Sequence, residues 1–288
     1  MKIIRSPHAM TAWSERLRRE GVTIGFVPTM GALHAGHRAL IRAARLRCDA
    51  LIVSIFVNPI QFSPTEDLTK YPRPIAKDRA LCRAEGVDVC FEPTAMAMYP
   101  SRFQTEVAVS AIAAGWEGAS RPHHFGGVAT VVTKLFGMVR PHMALFGQKD
   151  YQQAALVQQL VKDLNLGVTI HVRPTIREHD GLAMSSRNVY LSPQERQIAP
   201  MFYQALLAGR LAIEAGTTKG ESVQNIMRGV IEHEPMITID YLGVCNPSTL
   251  EPLKTIEQQA VLLGAIRIGS VRLIDNLVAT VGKRSMPR

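Results

Sequence analysis

The 288-residue chain is short of cysteine, and its four cysteines, Cys48, Cys82, Cys90 and Cys245, include no C-x-x-C pair. That spacing argues against a zinc site and against a disulfide framework, and it fits reduced thiols. No apolar run approaches the roughly 18 uninterrupted residues of a membrane helix. The opening stretch MKIIRSPH lacks the apolar core of a signal peptide, so the expected location is the cytoplasm, with no membrane partner. Internal repeats and low-complexity tracts are also missing. Basic side chains outnumber acidic ones, 33 to 24, but they are scattered rather than massed. The tightest groups, Arg16-Arg18-Arg19 and Arg42-Arg45-Arg47, fall on amphipathic helices, where a solvated face is the ordinary reading. A formal charge of +9 therefore favours anionic ligands, and without any DNA- or RNA-reading motif it does not point to nucleic acid.

What is present is an ordinary globular composition, 47% hydrophobic and 20% charged, in a chain long enough for one large or two moderate domains. Apolar runs at 23–27, 50–57, 87–91, 143–146 and 168–172 read as buried strands, with a short edge strand at 2–4. Between them, helical spacing is found at 10–20, from 36 to about 46, and at 73–84, 128–139 and 151–164. Such alternation predicts an α/β fold, a doubly wound parallel sheet over residues 1–175, with ligands outside the carboxyl ends of the strands. From 176 to 288 the texture changes. Helices at 193–215 and 219–233 precede strands at 238–244, 260–268 and 271–277, which suggests a smaller α+β C-terminal domain ending in a frayed tail at 283–288.

The stretch that organises the rest is FVPTMGALHAGHR, residues 26–38. A strand runs into a turn broken by Pro28 and Gly31, and a helix begins near Gly36. The first turn of a helix offers unpartnered N–H groups and the positive end of its dipole, and both attract phosphate. Gly36 removes a side chain that would hold a phosphate at a distance, and His34 and His37, three apart, can lean toward one anion. Spacing alone leaves open a metal site, a cap or a solvated helix.

Other chemistry-bearing strings sit where strands end. Asn58-Pro59-Ile60-Gln61-Phe62 follows the 50–57 run, and the Gln61 amide can both donate and accept, which suits a ligand carrying hydroxyls and a carboxylate. The polar, proline-punctuated stretch 66–74 reads as a loop over a ligand, and acidic residues there and at Asp78 are candidates for Mg²⁺. Arg121, His123 and His124 precede a helix; adjacent side chains diverge, so the two histidines do not make a metal site. Lys149 in FGQKDYQQ, residues 146–153, is a point charge suited to phosphates. Ser185, Ser186 and Arg187, after a glycine turn, make a phosphate clamp; Ser185 and Ser186 are also capping residue types, although no helix is expected directly after them.

Taken in order, PTMGALHAGH, NPIQF, RPHHFGGV, FGQKDYQQ and DGLAMSSRN resemble the pantothenate synthetase (pantoate:β-alanine ligase) family of the H-x-G-H nucleotidyltransferase superfamily. The resemblance implies a Rossmann-like first domain binding ATP and pantoate, with the second acting as a lid. The implied activity is AMP-forming ligation of (R)-pantoate and β-alanine to pantothenate through pantoyl adenylate, with Mg²⁺ as cofactor and a cytoplasmic homodimer as the assembly. It implies His37, His34 and Lys149 as catalytic. ATP contacts are implied for Met30, Gly31, Ala32, Leu33, His34, Ala35, Gly36, His37, Gly147, Gln148, Lys149, Asp150, Ile176, Met184, Ser185, Ser186 and Arg187. Gln61 and Gln153 would bind pantoate, with Gln61 also near β-alanine. The chain departs from the family pattern at Gln148, where glutamate is usual, and at Lys77, where an acidic residue is common before Asp78. The alternative is a nucleotidylyltransferase of the same superfamily, which would not need the Gln61 and Gln153 pair.

Overall fold

The computed structural model describes residues 1–64 and 66–282; the tail expected at 283–288 lies outside them. The chain separates into two compact units. The first holds Met1–Ala113, Arg121–Gln148 and Gln153–Ile176; the second holds Ala114–Ser120, Lys149–Gln152 and the chain from Arg177 onward. The division is thus not one cut at 175/176, because two short segments from the earlier half fold with the later one.

In the first unit β1 (Lys2–Ile4), β2 (Ile24–Thr29), β3 (Ala50–Ile55), β4 (Val89–Phe91), β5 (Met143–Gly147) and β6 (Thr169–Arg173) form a parallel sheet. Their order is β1-β4-β3-β2-β5-β6. In chain order the helices are α1 (Pro7–Arg19), α2 (Ala35–Arg45), α3 (Ile75–Ala84), the short α4 (Ala95–Met98) and α5 (Ser110–Ala114), then, after α6 (Glu117–Ser120) of the second unit, α7 (His124–Val139) and α8 (Tyr151–Asp163). Side chains alternate across a strand, so each buried strand feeds two cores. Ile24, Phe26, Ala50, Ile52, Ala144 and Phe146 pack with Met10 and Leu17 of α1, Val132 and Phe136 of α7, and Leu156 and Leu160 of α8. Their neighbours Val27, Leu51, Val53 and Leu145 face the other way, onto Ile41 and Ala44 of α2 and Cys82 of α3. Helices therefore cover both faces, as the expected α/β fold requires. The chain steps from β2 to β3 to β4, then returns to place β5 on the far side of β2, so the order reverses between β2 and β5. Such a reversal opens a crevice at the strand ends, and ligands of open parallel sheets bind there.

Local details extend the expected elements. Ser6 caps α1, its Oγ accepting from the Ala9 N–H at 3.3 Å, and Pro7 occupies the first turn, so the helix starts ahead of residue 10. The Arg42 side chain on α2 is solvent-facing and that of Arg45 half-buried, and both are paired, with Glu85 and Asp88, each at 2.6 Å. The α7 helix lies against the 3₁₀ turn Pro59–Gln61, and Gly127 makes that contact possible. A Cβ there would stand 2.5 Å from the Ile60 oxygen and 2.6 Å from Gln61 Cα.

The second unit contains α9 (Pro193–Ile198), α10 (Met201–Glu214), α11 (Gly220–Ile231) and an antiparallel sheet of β7 (Ile237–Cys245), β8 (Gln259–Ile268) and β9 (Val271–Thr280). Phe202, Leu206, Ile213, Val223 and Met227 pack against Leu242, Val244, Leu262 and Ile266. The single helix expected at 193–215 is two. Ser192 and Glu195 form a capping box at the first, and Pro200, with no N–H to give, restarts the second. The 114–120 and 149–152 segments are tied into this unit by polar contacts. Trp116 donates to the Leu250 carbonyl at 2.8 Å, Tyr151 to that of Pro247 at 3.0 Å, and Arg272 reaches Glu117 at 2.7 Å. Among the described residues no helix is long and apolar enough to cross a membrane.

Gly127→Ala is expected to destabilise the chain by about 1–3 kcal/mol, because the new methyl meets backbone rather than a movable side chain. A thermal melt checks this, with each kcal/mol worth about 2–4 °C for a chain of this size.

Candidate active site

The turn after β2 is held from below. Thr29 Oγ1 donates to the Ser54 carbonyl at 2.7 Å and accepts from Gly31 N at 3.1 Å. Gly31 and Ala32 both have positive φ, 85° and 51°, and the N–H groups of Ala32 and Leu33 that follow point toward one place. That place is occupied by a carboxylate of the protein itself. Asp78 on α3 is 2% exposed and accepts from Ala32 N at 2.9 Å and Leu33 N at 2.8 Å, one bond to each oxygen. Burial raises its pKa, and the two N–H bonds pull it back. Asp78 thus holds the turn, one N–H to each oxygen, and a carboxylate oxygen that accepts one bond keeps a second lone pair.

The helix α2 that follows is capped by imidazoles. His34 sits at the N-cap, where its Nδ1 accepts from Gly36 N at 3.1 Å; His37, one turn on, returns the bond, its Nδ1 accepting from His34 N at 3.3 Å. This is a capping box built from two histidines, with ring centroids 4.2 Å apart. An Nδ1 that accepts carries no proton, so the hydrogen bonds assign the ring proton to Nε2 in both. Both rings are therefore N–H donors at the mouth of α2, beside the sheet's point of reversal. Gly36 serves this differently from the expectation. A Cβ there would lie 2.8 Å from His34 Cε1, so the missing side chain makes room for the His34 ring.

Next to this mouth, at the end of β3, is a buried amide. Gln61, 7% exposed, accepts at Oε1 from Asn58 Nδ2 at 3.0 Å and donates from Nε2 to Met30 Sδ at 3.1 Å. Its backbone carbonyl is gripped by His124 Nδ1 at 2.9 Å and reached by Arg121 at 3.4 Å. Arg121 also lies 3.2 Å from His124 Nε2 and donates to Glu66 at 2.5 and 3.1 Å. Arginine can only donate, so His124 Nε2 accepts and its Nδ1–H faces the Gln61 carbonyl. Burial pushes the Glu66 carboxyl up, and the hydrogen bond and charge of Arg121 overturn that, leaving it below the usual range. Arg121 and His124 thus build the wall that carries Gln61. Gln153 stands half-buried in the first turn of α8, and Gly147 and Gln148 end β5 beside β2.

In the second unit Lys149 is largely covered, its side chain 20% exposed, with Nζ 3.8 Å from Asp150. Its carbonyl accepts from Asn276 Nδ2 at 2.9 Å. The segment carrying Met184, Ser185, Ser186 and Arg187 is braced from its flanks. Arg196 donates to Glu178 at 2.7 Å and Asp180 at 2.6 Å, and Arg177 forms a forked pair with the buried Asp275 at 2.6 and 2.9 Å. Ser185 does cap a helical turn, against expectation, since its Oγ accepts from Arg187 N at 3.2 Å and a 3₁₀ turn follows at Ser186–Tyr190. Among the described residues no group of three His, Cys, Asp or Glu is arranged to hold a metal.

Comparison with known proteins bears on this geometry. The family model described as pantoate-beta-alanine ligase matches residues 2–278. The chain belongs to that family. It is 50% identical over 281 residues to a protein of Heliobacterium modesticaldum named pantothenate synthetase, covering 98% of this chain and all of that one. A pantothenate synthetase from Thermus thermophilus superposes with a TM-score of 0.91 at 45% identity, covering 96% of this chain and 99% of its own. The pantoate-beta-alanine ligase of Francisella tularensis, solved with an ATP compound and β-alanine, gives 0.80 at 35% identity, covering 96% and 97%. The family makes the chain a ligase of pantothenate biosynthesis.

Gly36→Ala is expected to displace the His34 ring, lowering turnover by about 10²-fold and, with the cap disturbed, the melting temperature by a few degrees at roughly 1 kcal/mol. Steady-state AMP release beside a thermal melt checks both halves. For Glu66 the sign is that of a lowered carboxylate: its contribution is present above the ordinary glutamate range and is lost as pH falls through the shifted value. The stability gap between wild type and Glu66→Gln is therefore expected to narrow from about pH 6 to about pH 3, as read by denaturant titration.

Proposed function

We propose that the His34 and His37 Nε2–H groups donate to the phosphates of ATP while pantoate is activated, in the ATP-dependent condensation of pantoate with β-alanine. The observation that carries this reading is the pair of acceptor Nδ1 atoms at the mouth of α2, which leaves two ring N–H donors at a helix N-terminus. A carboxylate resists attack by an amine because its leaving group would be oxide. In the first step a pantoate carboxylate oxygen attacks the α-phosphorus, the bond to the bridging oxygen breaks, and pyrophosphate leaves. In the second the amine of β-alanine attacks the acyl carbon, AMP leaves, and the nitrogen loses its extra proton. Charge grows on phosphoryl oxygens in both steps, and neutral donors fixed in advance stabilise it without reorganising.

In this reading Lys149, Ser185 and Arg187 secure the α- to γ-phosphates. Backbone and side-chain groups of Met30, Gly31, Ala35, Gly36, Gly147, Gln148, Asp150, Ile176, Met184 and Ser186 surround the nucleotide. Gln61 and Gln153 hold pantoate through neutral amides. Mg²⁺, a cytoplasmic location and a homodimer rest on the family resemblance; Asp78 is the residue that would hold the metal, which would supply neutralising charge to the nucleotide phosphates.

His37→Ala and Lys149→Ala are each expected to lower turnover by roughly 10²–10³-fold, the scale of losing one preorganised donor. The assay mixes enzyme, ATP and pantoate with and without β-alanine and follows pyrophosphate and free AMP. Free AMP should accumulate catalytically only with β-alanine, and normal turnover in either variant would overturn its assigned role.

A further inference from the structure

We propose that Asn58 and Tyr99 are positioning residues that decide which end of the Gln61 amide faces the acid substrate, and that the end presented is N–H. The inference rests on the reading that Gln61 lines the pantoate site, and it adds the sense of the hydrogen bond and the residues that impose it.

The amide of an asparagine or glutamine can be turned over, so its sense has to be set by neighbours with only one option. Asn58 is 1% exposed, and one of its partners is the Gly127 carbonyl at 3.0 Å. A carbonyl only accepts, so the group facing it is Nδ2. The Asn58 Oδ1 then faces Tyr99, whose O–H donates at 2.7 Å. The second Nδ2 hydrogen goes to Gln61 at 3.0 Å, so that contact is Gln61 Oε1. Its Nε2 is left on the other side, against Met30 Sδ at 3.1 Å. A thioether also only accepts, so the two ends of the chain, a carbonyl and a sulfur, independently demand the same sense throughout.

Tyr99 is itself held in place. Its ring packs on Phe56 and Phe103, with centroids 6.2 and 5.1 Å away, and the Lys134 ammonium lies 5.7 Å from it. Burial pushes its phenol pKa up, which keeps the hydroxyl a donor at neutral pH. The Gln61 NH₂ has two hydrogens, and Met30 takes one. The other suits a hydroxyl or carboxylate oxygen and opposes an ammonium. Of two carboxylic acids, one bearing hydroxyls and one bearing an ammonium, such a donor favours the first.

The test compares Tyr99→Phe, Asn58→Asp and Gln61→Ala, measuring kcat and the separate KM values for pantoate, ATP and β-alanine, with a thermal melt for each. An aspartate at 58 cannot donate to Gly127 or to Gln61, so it turns the Gln61 amide round. Pantoate KM is expected to rise about 100-fold for Asn58→Asp and about tenfold for Tyr99→Phe, with ATP KM within about twofold of wild type. An unchanged pantoate KM in Tyr99→Phe and Asn58→Asp, beside a raised one in Gln61→Ala, overturns the orientation proposal alone. An unchanged value in Gln61→Ala overturns instead the reading of Gln61 as a pantoate contact. Equal shifts in pantoate and ATP KM assign Tyr99 and Asn58 a merely structural role and also refute the proposal. If Asn58→Asp does not melt cooperatively, Tyr99→Phe decides.

Discussion

The reciprocal cap at the start of α2 is the constraint on which the rest of the first unit depends. Helix N-termini leave N–H groups without partners, and serine, threonine or aspartate usually supplies the oxygen that meets them. Here imidazole nitrogens do so, and the capping duty fixes the tautomer that a phosphate donor needs. The features around it follow from keeping those rings in place. Asp78 closes the left-handed turn ahead of the cap, Gly36 leaves room for the ring, and the sheet reverses its strand order where the turn emerges.

A second regularity concerns charge. In a chain with an excess of basic residues, the charges nearest the mouth are largely consumed inside the protein. Asp78 serves two backbone amides, and Arg121 serves Glu66 and the Gln61 carbonyl. In the second unit Arg177 serves Asp275. In the proposed reading, ligand-facing chemistry in the first unit then falls to neutral groups whose direction is set by these buried contacts. Neutral donors bound at fixed angles need less desolvation than ions, and they hold direction better than long charged side chains.

Much of this was legible before any coordinates. Continuous apolar runs and period-3.6 patterns located the strands and main helices of the first unit, because those patterns answer to which faces are covered. The histidine pair, Gln61 and the strand-end strings were visible for the same reason, since strand ends of a parallel sheet are where ligands go. The rest depended on contacts far apart in the chain. Nothing near Asp78 announces that its partners are Ala32 and Leu33, 46 and 45 residues away. Tyr99 meets Asn58 across 41 residues, and Gly127 meets the turn at Ile60 through backbone alone. The break at Pro200 and the Ser6-Pro7 start were local signals that a broad helical pattern had smoothed over. The allegiance of residues 114–120 and 149–152 to the second unit has no local signature, because it is made by tryptophan, tyrosine and arginine contacts to strands and loops more than ninety residues later.

The cap also dictates how protons can travel. A histidine that serves as a relay ordinarily takes a proton on one nitrogen and releases it from the other, but here the far nitrogen of each ring is filled by a backbone N–H. An imidazolium would point hydrogen at hydrogen and loosen the first turn of the helix. In the proposed reading any proton lent by Nε2 has to come back to Nε2, from water or from departing product, which makes these rings reversible single-port donors rather than wires into the protein.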